Sequence, residues 1–253
     1  MKWPKPYFDR VVFELRYARG HRYLDRCGET LIEIEEKLPG WVPQEISPSR
    51  GSLINLEKDI QFNFSSYKLD ASQNNPKTTV DFRDQVAPLV DIVCKSLSLS
   101  EFIRIGVRFY FLLAAQSMEQ AEEMVRSTNF VTLNAKLVEN LGPNIKAQKH
   151  IVIFEHANEG RRIEFGAVRR EEGKLPPELL AVEPRLLPKG QREAFARKLE
   201  QTKRYGEDPR FALQFDIDNY EREPESFNAR AFIERNEDFV RQKLFPLLGV
   251  TKW

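Results

Sequence analysis

Two cysteines in 253 residues, Cys27 and Cys94, and three histidines, His21, His150 and His156, leave little material for cross-links of any kind. Two cysteines far apart in sequence make no disulfide framework. Both sit on apolar helical stripes, so buried free thiols are expected. The histidines lack the i, i+4 spacing and the neighbouring cysteines of a zinc centre. There is no phosphate-binding glycine loop, no G-x-G-x-x-G and no G-x-S-x-G, so no nucleotide loop or nucleophile elbow is signalled. No run reaches the roughly 20 apolar residues that a membrane-spanning helix needs, and the opening MKWPKPYF has no signal-peptide core. Excess charge of one sign is missing too. Lys+Arg total 39 against 38 Asp+Glu, a formal charge of +1, so there is no global pull toward nucleic acid or acidic lipid. The expectation is a soluble cytoplasmic protein with no cofactor, no metal and no membrane contact.

What the chain does have is apolar and aromatic material. Hydrophobic residues make up 41%, enough for a sizeable core, and the 18 phenylalanines suit strands. The most apolar long run is Phe102 to Ala114, FIRIGVRFYFLLA. Ile103, Ile105, Val107, Phe109, Phe111 and Leu113 share one parity; Arg104, Gly106, Arg108 and Tyr110 share the other. That period of two marks a strand with one face in a core.

Other segments group around this strand. Val11 to Tyr17 alternates in the same way. Leu24, Cys27, Leu31, Ile34 and Leu38 form a helical stripe stopped by Pro39-Gly40. Trp41 to Pro48 is punctuated by proline and reads as irregular or an edge strand. Ser52 to Glu57 and Ile60 to Tyr67 read as two strands, and the polar Leu69 to Thr79 as a loop. Phe82 to Leu97 is a second long helix, kinked at Pro88 or starting near residue 87. Ser117 and Gln120 form a capping box for a short helix. Later, Thr132 to Leu141 fits strand or helix equally. His150 to Glu155 and Arg161 to Val168 read as a hairpin. Leu175 to Gly190 is proline-rich loop, and Gln191 to Arg204 a charged helix. Phe211 to Ile217 is a strand, and Ala229 to Leu244 a terminal helix.

This order predicts an α+β fold, with one antiparallel sheet or two related sheets and long helices packed on one face. The halves 1–128 and 129–253 fit either one continuous domain or two. Each half holds strands followed by a helix, which hints at a duplication without a convincing alignment.

The candidate chemistry lies on the polar parities. Arg104 and Arg108 flank Gly106, whose bare backbone leaves room for a ligand or another chain. Glu14 and Arg16 share a face of the first strand, and Asp216 and Asp218 a face of the late one. If the three strands are neighbours, Arg104, Gly106, Arg108, Asp216 and Asp218 form a polar-ligand site. The plainer reading is cross-strand ion pairing. Asp216 and Asp218 could also hold magnesium with a phosphate, but no third carboxylate accompanies them. The E-x-E-x-K run from Glu33 to Lys37, a pattern of triphosphate tunnel enzymes, sits on a helical stripe where its charges do not share a face.

The segments FDRVVFELRY, IQFNFSSYKL, FIRIGVRFYF and FALQFDIDNY, with a terminal helix and a final Phe-Pro-Leu-Leu-Gly, occur in this order in a sporadically distributed family of uncharacterised bacterial proteins, which the chain resembles. The hallmark strand of that family is similar to Arg104-Ile105-Gly106-Val107-Arg108-Phe109. Val107 and Phe109 stand where leucine and tyrosine are expected. The resemblance implies a bacterial soluble protein and transfers no catalytic residue.

The expected function is therefore non-catalytic, the recognition of a protein partner or a small polar ligand through the polar sheet face. Homo-oligomerisation is left open. The alternatives are a metal-dependent enzyme acting on a phosphorylated or nucleotide substrate, and a nucleic-acid-binding module, which the charge balance disfavours.

Overall fold

The computed structural model describes residues 3–128, 130, 148–170, 192, 195, 196 and 209–250. Nine strands are described: β1 Tyr7–Tyr17, β2 Trp41–Ile46, β3 Gly51–Asn55, β4 Ile60–Phe64, β5 Lys68–Asn74, β6 Phe102–Ala115, β7 Lys149–His156, β8 Glu159–Arg169 and β9 Phe211–Arg222. The four longest described helices are α1 Tyr23–Lys37, α2 Thr79–Ser96, α3 Met118–Ser127 and α4 Ala229–Phe239, the last continuing into a π-helical turn, Val240–Leu244. The strands form one antiparallel sheet in the order β2-β3-β4-β5-β1-β6-β9-β8-β7. This is the predicted α+β class, as a single sheet that runs through both halves of the chain.

β6 lies at the centre because its inward parity is apolar throughout its middle. Ile105, Val107, Phe109, Phe111 and Leu113 are buried beside Val11, Phe13 and Leu15 of β1 and Leu213, Phe215 and Ile217 of β9. The helices supply the opposite wall of this core through Leu31 and Ile34 of α1, Phe82, Val86 and Val90 of α2, Met124 of α3, and Phe232 and Ile233 of α4. Ile103 continues the apolar parity in sequence, but the register shifts there, Arg16 pairing with Arg104 and Tyr17 with Phe102, so Phe102 packs on the core and Ile103 is half exposed. Ser117 caps α3 by accepting a hydrogen bond from the Gln120 backbone N–H, as the box predicts, while the Gln120 side chain accepts from Gln116 N–H rather than from the cap itself.

Two expectations need correction. Lys68–Asn74 is a strand, not part of a loop: Leu69, Ala71 and Gln73 are buried while Lys68, Asp70 and Ser72 face outward. Its alternation is hidden by composition, because glutamine and alanine occupy two of its three inward positions. α2 begins at Thr79 rather than near residue 87 and runs through Pro88. Of the two readings of Trp41 to Pro48, the edge strand is the one found: Trp41–Ile46 is β2, with a register shift between Pro43 and Glu45. The expectations for Thr132 to Leu141 and Leu175 to Gly190, and nearly all of Gln191 to Arg204, lie outside the described residues. Within that last span, Phe195 is buried against Ile54 and Leu56.

The sheet carries an internal symmetry. Each half opens with its central strand (β1 or β6), continues with a helix (α1 or α3), and returns through an antiparallel meander whose last strand (β5 or β9) pairs with that central strand before a second helix (α2 or α4). Placing Arg10 on Arg104 also places Phe8 on Phe102 and Glu14 on Arg108. The same shift puts Tyr23, the first residue of α1, on Ser117, the cap of α3.

Both cysteines are free, Cys27 buried and Cys94 partly so. The apolar surroundings push the Cys94 thiol up to about 12, with Asp91 adding to the shift. Burial also raises Cys27, against the opposing effect of its contact with the Tyr23 hydroxyl at 3.3 Å. In the unfolded chain Cys94 would ionise near the ordinary thiol value of 9.0. Between that pH and about 12 the native protein keeps a proton that the unfolded chain gives up, so stability should fall as pH rises through this window. Near neutral pH both thiols should react slowly with a thiol reagent until denaturant is added. Rapid labelling of the native protein would contradict this placement.

Candidate functional site

The outward parity of β6 faces away from the four helices. The β6–β9 register sets Arg108 opposite Asp218 and Tyr110 opposite Asp216, and the β1–β6 register sets Glu14 opposite Gly106. The three strands are thus neighbours, and the sequence-predicted residues come together. The bonds run diagonally. Arg104 reaches along its own strand, donating from Nη1 to Glu14 Oε1 at 2.8 Å and from Nη2 to both Asp218 oxygens at 2.9 and 2.8 Å. Arg108 grips Asp216 side-on, from Nε to Oδ1 at 2.5 Å and from Nη2 to Oδ2. Arg16 donates to the same Glu14 oxygen at 2.8 Å.

Gly106 explains the reach of Arg104. A Cβ built on Gly106 would lie 2.8 Å from Arg104 Nη1 and 3.0 Å from its Cζ. The guanidinium lies over the bare glycine, in the space left open above for a ligand. The same device recurs one strand further on. A Cβ on Gly160 of β8 would lie 2.2 to 2.4 Å from the Tyr220 ring, which leans over it and donates its hydroxyl to Glu155 of β7 at 2.7 Å. Gly106 and Gly160 both oppose Tyr220 across the sheet. Each glycine gives a flat polar side chain room to lie on the strand.

Tyrosines complete the face. Arg104 sits 4.9 Å from the Tyr220 ring centre and Arg108 5.1 Å from that of Tyr110. Sequence reasoning missed these rings, although Tyr110 is on the same parity as the arginines. It also missed Arg162 and Glu164 of β8, which pair with each other, with Arg162 4.0 Å from Asp216. Lys68 and Asn63 both contact Asp70, whose strand was read as loop.

Burial raises the pKa of Asp218, with Arg104 and Arg108 pulling against it. The hydrogen bonds that Arg108 donates to Asp216 raise its own pKa, so the guanidinium stays charged. The Arg104 group is well shielded, its three side chains 18 to 20% exposed, whereas the Arg108 side chain is 38% exposed over an almost buried Asp216. The face is not open everywhere: Leu112 and Ala212, on the outward parity at one end, are buried.

For magnesium, Asp216 and Asp218 would have to release their arginines. Among the described residues no group of three or more His, Cys, Asp or Glu side chains is arranged to hold a metal ion. Among the described helices none is long and apolar enough to cross a membrane.

Gly106→Val should evict the Arg104 guanidinium and break its bonds to Glu14 and Asp218, since β-branched bulk cannot share that space. The expected result is a loss of about 1–3 kcal/mol of stability, largely absent when the same substitution is made in an Arg104→Ala background. Equal losses in both backgrounds would contradict the seat. No family model matches the chain, and no curated protein matches it.

Proposed function

We propose that this is a non-catalytic binding protein that recognises a protein partner, or a small polar ligand, through the outward face of β1, β6 and β9. One observation carries the reading: the Arg108–Asp216–Tyr110 arrangement. Asp216 engages Nε and Nη2 of Arg108, Tyr110 supports its plane, and Nη1 makes no hydrogen bond with any described residue while the side chain keeps substantial exposure. An arginine fixed in this way meets a carboxylate or carbonyl with little further loss of side-chain freedom. Arginine and tyrosine are also the residue types that dominate binding hot spots.

Membership in the bacterial family described above is part of this proposal. Its support is that the resembling segments form β1, β4, β6 and β9, with the R-I-G-V-R-F run at the sheet's centre. A cytoplasmic location follows from that membership. The test is Arg108→Ala. Asp216 is almost buried and would keep, among the described residues, only Arg162, 4.0 Å away, so the variant should lose about 1–3 kcal/mol; compared where it is still folded, it should lose the partners that the parent captures from a bacterial lysate.

A further inference from the structure

The two edges of the sheet are built differently. At one, β2 is short, contains Pro43 and has a register shift beside it, devices that discourage pairing with another chain. At the other, β7 is a regular strand of eight residues, KHIVIFEH, without proline or bulge, and no described strand pairs with its outer side. Ile151, Ile153 and Phe154 are 51, 56 and 50% exposed. The strand's own charges lie near its two ends, basic at Lys149, which also pairs with Glu164 of β8, and acidic at Glu155, which also accepts from Arg222 and Tyr220 of β9; both side chains remain exposed.

We infer that β7 pairs antiparallel with β7 of a second copy, which makes one continuous sheet through a two-fold dimer. The register follows from geometry and charge. A two-fold axis perpendicular to a sheet must set residues of equal parity opposite one another, so it passes through a residue. Centred on Val152, it sets Lys149 against Glu155 of the second copy, Ile151 against Ile153 and His150 against Phe154, each pair occurring twice. Centring on Ile151 or Ile153 sets Lys149 or Glu155 against an isoleucine and leaves no pair of opposite charges. The hairpin supports the pairing itself. Its two-residue turn, Ala157-Asn158, closes on a hydrogen-bonded His156–Glu159 pair, so the backbone groups of Lys149, Ile151, Ile153 and Glu155 point away from β8. These residues exchange hydrogen bonds in each of the three registers, and the charges choose the one centred on Val152.

Sedimentation velocity at micromolar and higher concentrations tests this. The parent should run as a dimer and Ile153→Lys as a folded monomer, since that side chain is exposed in the single copy. Lys149→Glu sets like charges opposite Glu155 of the second copy, and Glu155→Lys does the same with Lys149, so each alone should weaken the dimer at least tenfold. Mixed one to one, the two variants should re-form a dimer, because both charge pairs are restored across it. Circular dichroism of each variant separates lost pairing from lost folding. A monomeric parent, a dimer that survives Ile153→Lys, or failure of the folded charge variants to recombine would each overturn the inference.

Discussion

Replacing Phe109 by alanine should lower the unfolding free energy by about 3–5 kcal/mol, the cost of emptying a buried aromatic site in the middle of a packed core. Phe109 has no exposed surface. Its ring lies 6.2 Å from that of Phe8 and 6.5 Å from that of Phe111, and its backbone is paired on both sides, with Val11 of β1 and Ile217 of β9. Strands fixed on both sides and helices behind leave little freedom for the cavity to collapse. Ile103→Ala is the matched control. It has the same parity on the same strand but is half exposed, so its cost should stay near about 0.5 kcal/mol. Denaturant titration of the two variants reads both numbers. Equal costs, or an unmoved midpoint for Phe109→Ala, would contradict the placement of the core.

The second large effect belongs to Arg104. Removing it leaves Glu14 and Asp218 facing each other across Gly106 with their main cation gone, in a setting where each is about four-fifths shielded. Arg104→Ala should cost about 2–4 kcal/mol, short of the most deeply buried pairs because some solvent reaches all three groups. Burial already favours the protonated form of Asp218, and loss of Arg104 takes away the main charge that opposes it. The variant should therefore recover part of its stability as pH falls into the range where Asp218 takes up a proton: the native carboxyl, raised above its unfolded value, then binds the proton more readily than the unfolded one. A cycle with Asp218→Asn should show a coupling of about 1–3 kcal/mol. Additive losses would mean that the two side chains do not act together.

The inward face was legible because its residues are large and apolar and recur at every second position, as at Phe109 and Phe215. The strand β5 was not, since Lys68–Asn74 has only Leu69 and Ala71 as apolar inward residues, and its outward residues resemble a loop. Missing that strand hid the likeness in element order, because β5 pairs with β1 as β9 pairs with β6. The charged residues of the site were legible as a parity, but their partners depend on strand order and register, which parity does not contain. Gly106 was noticed for the right physical reason, the space it leaves, and given the wrong occupant: Arg104, two residues away on the same strand, reaches that space before any ligand. Tyr110 and Tyr220 escaped notice because a tyrosine on a polar parity gives no hint of which guanidinium it will lie against.

The most direct measurement is the set of partners captured from a bacterial lysate by the parent and by Arg108→Ala, compared at a temperature where both are folded. The binding account predicts that partners held by the parent are missing from the variant although both proteins are folded. A capture profile that is the same for both proteins, with a lowered melting temperature for Arg108→Ala, would contradict it and leave the charged face with a structural role alone.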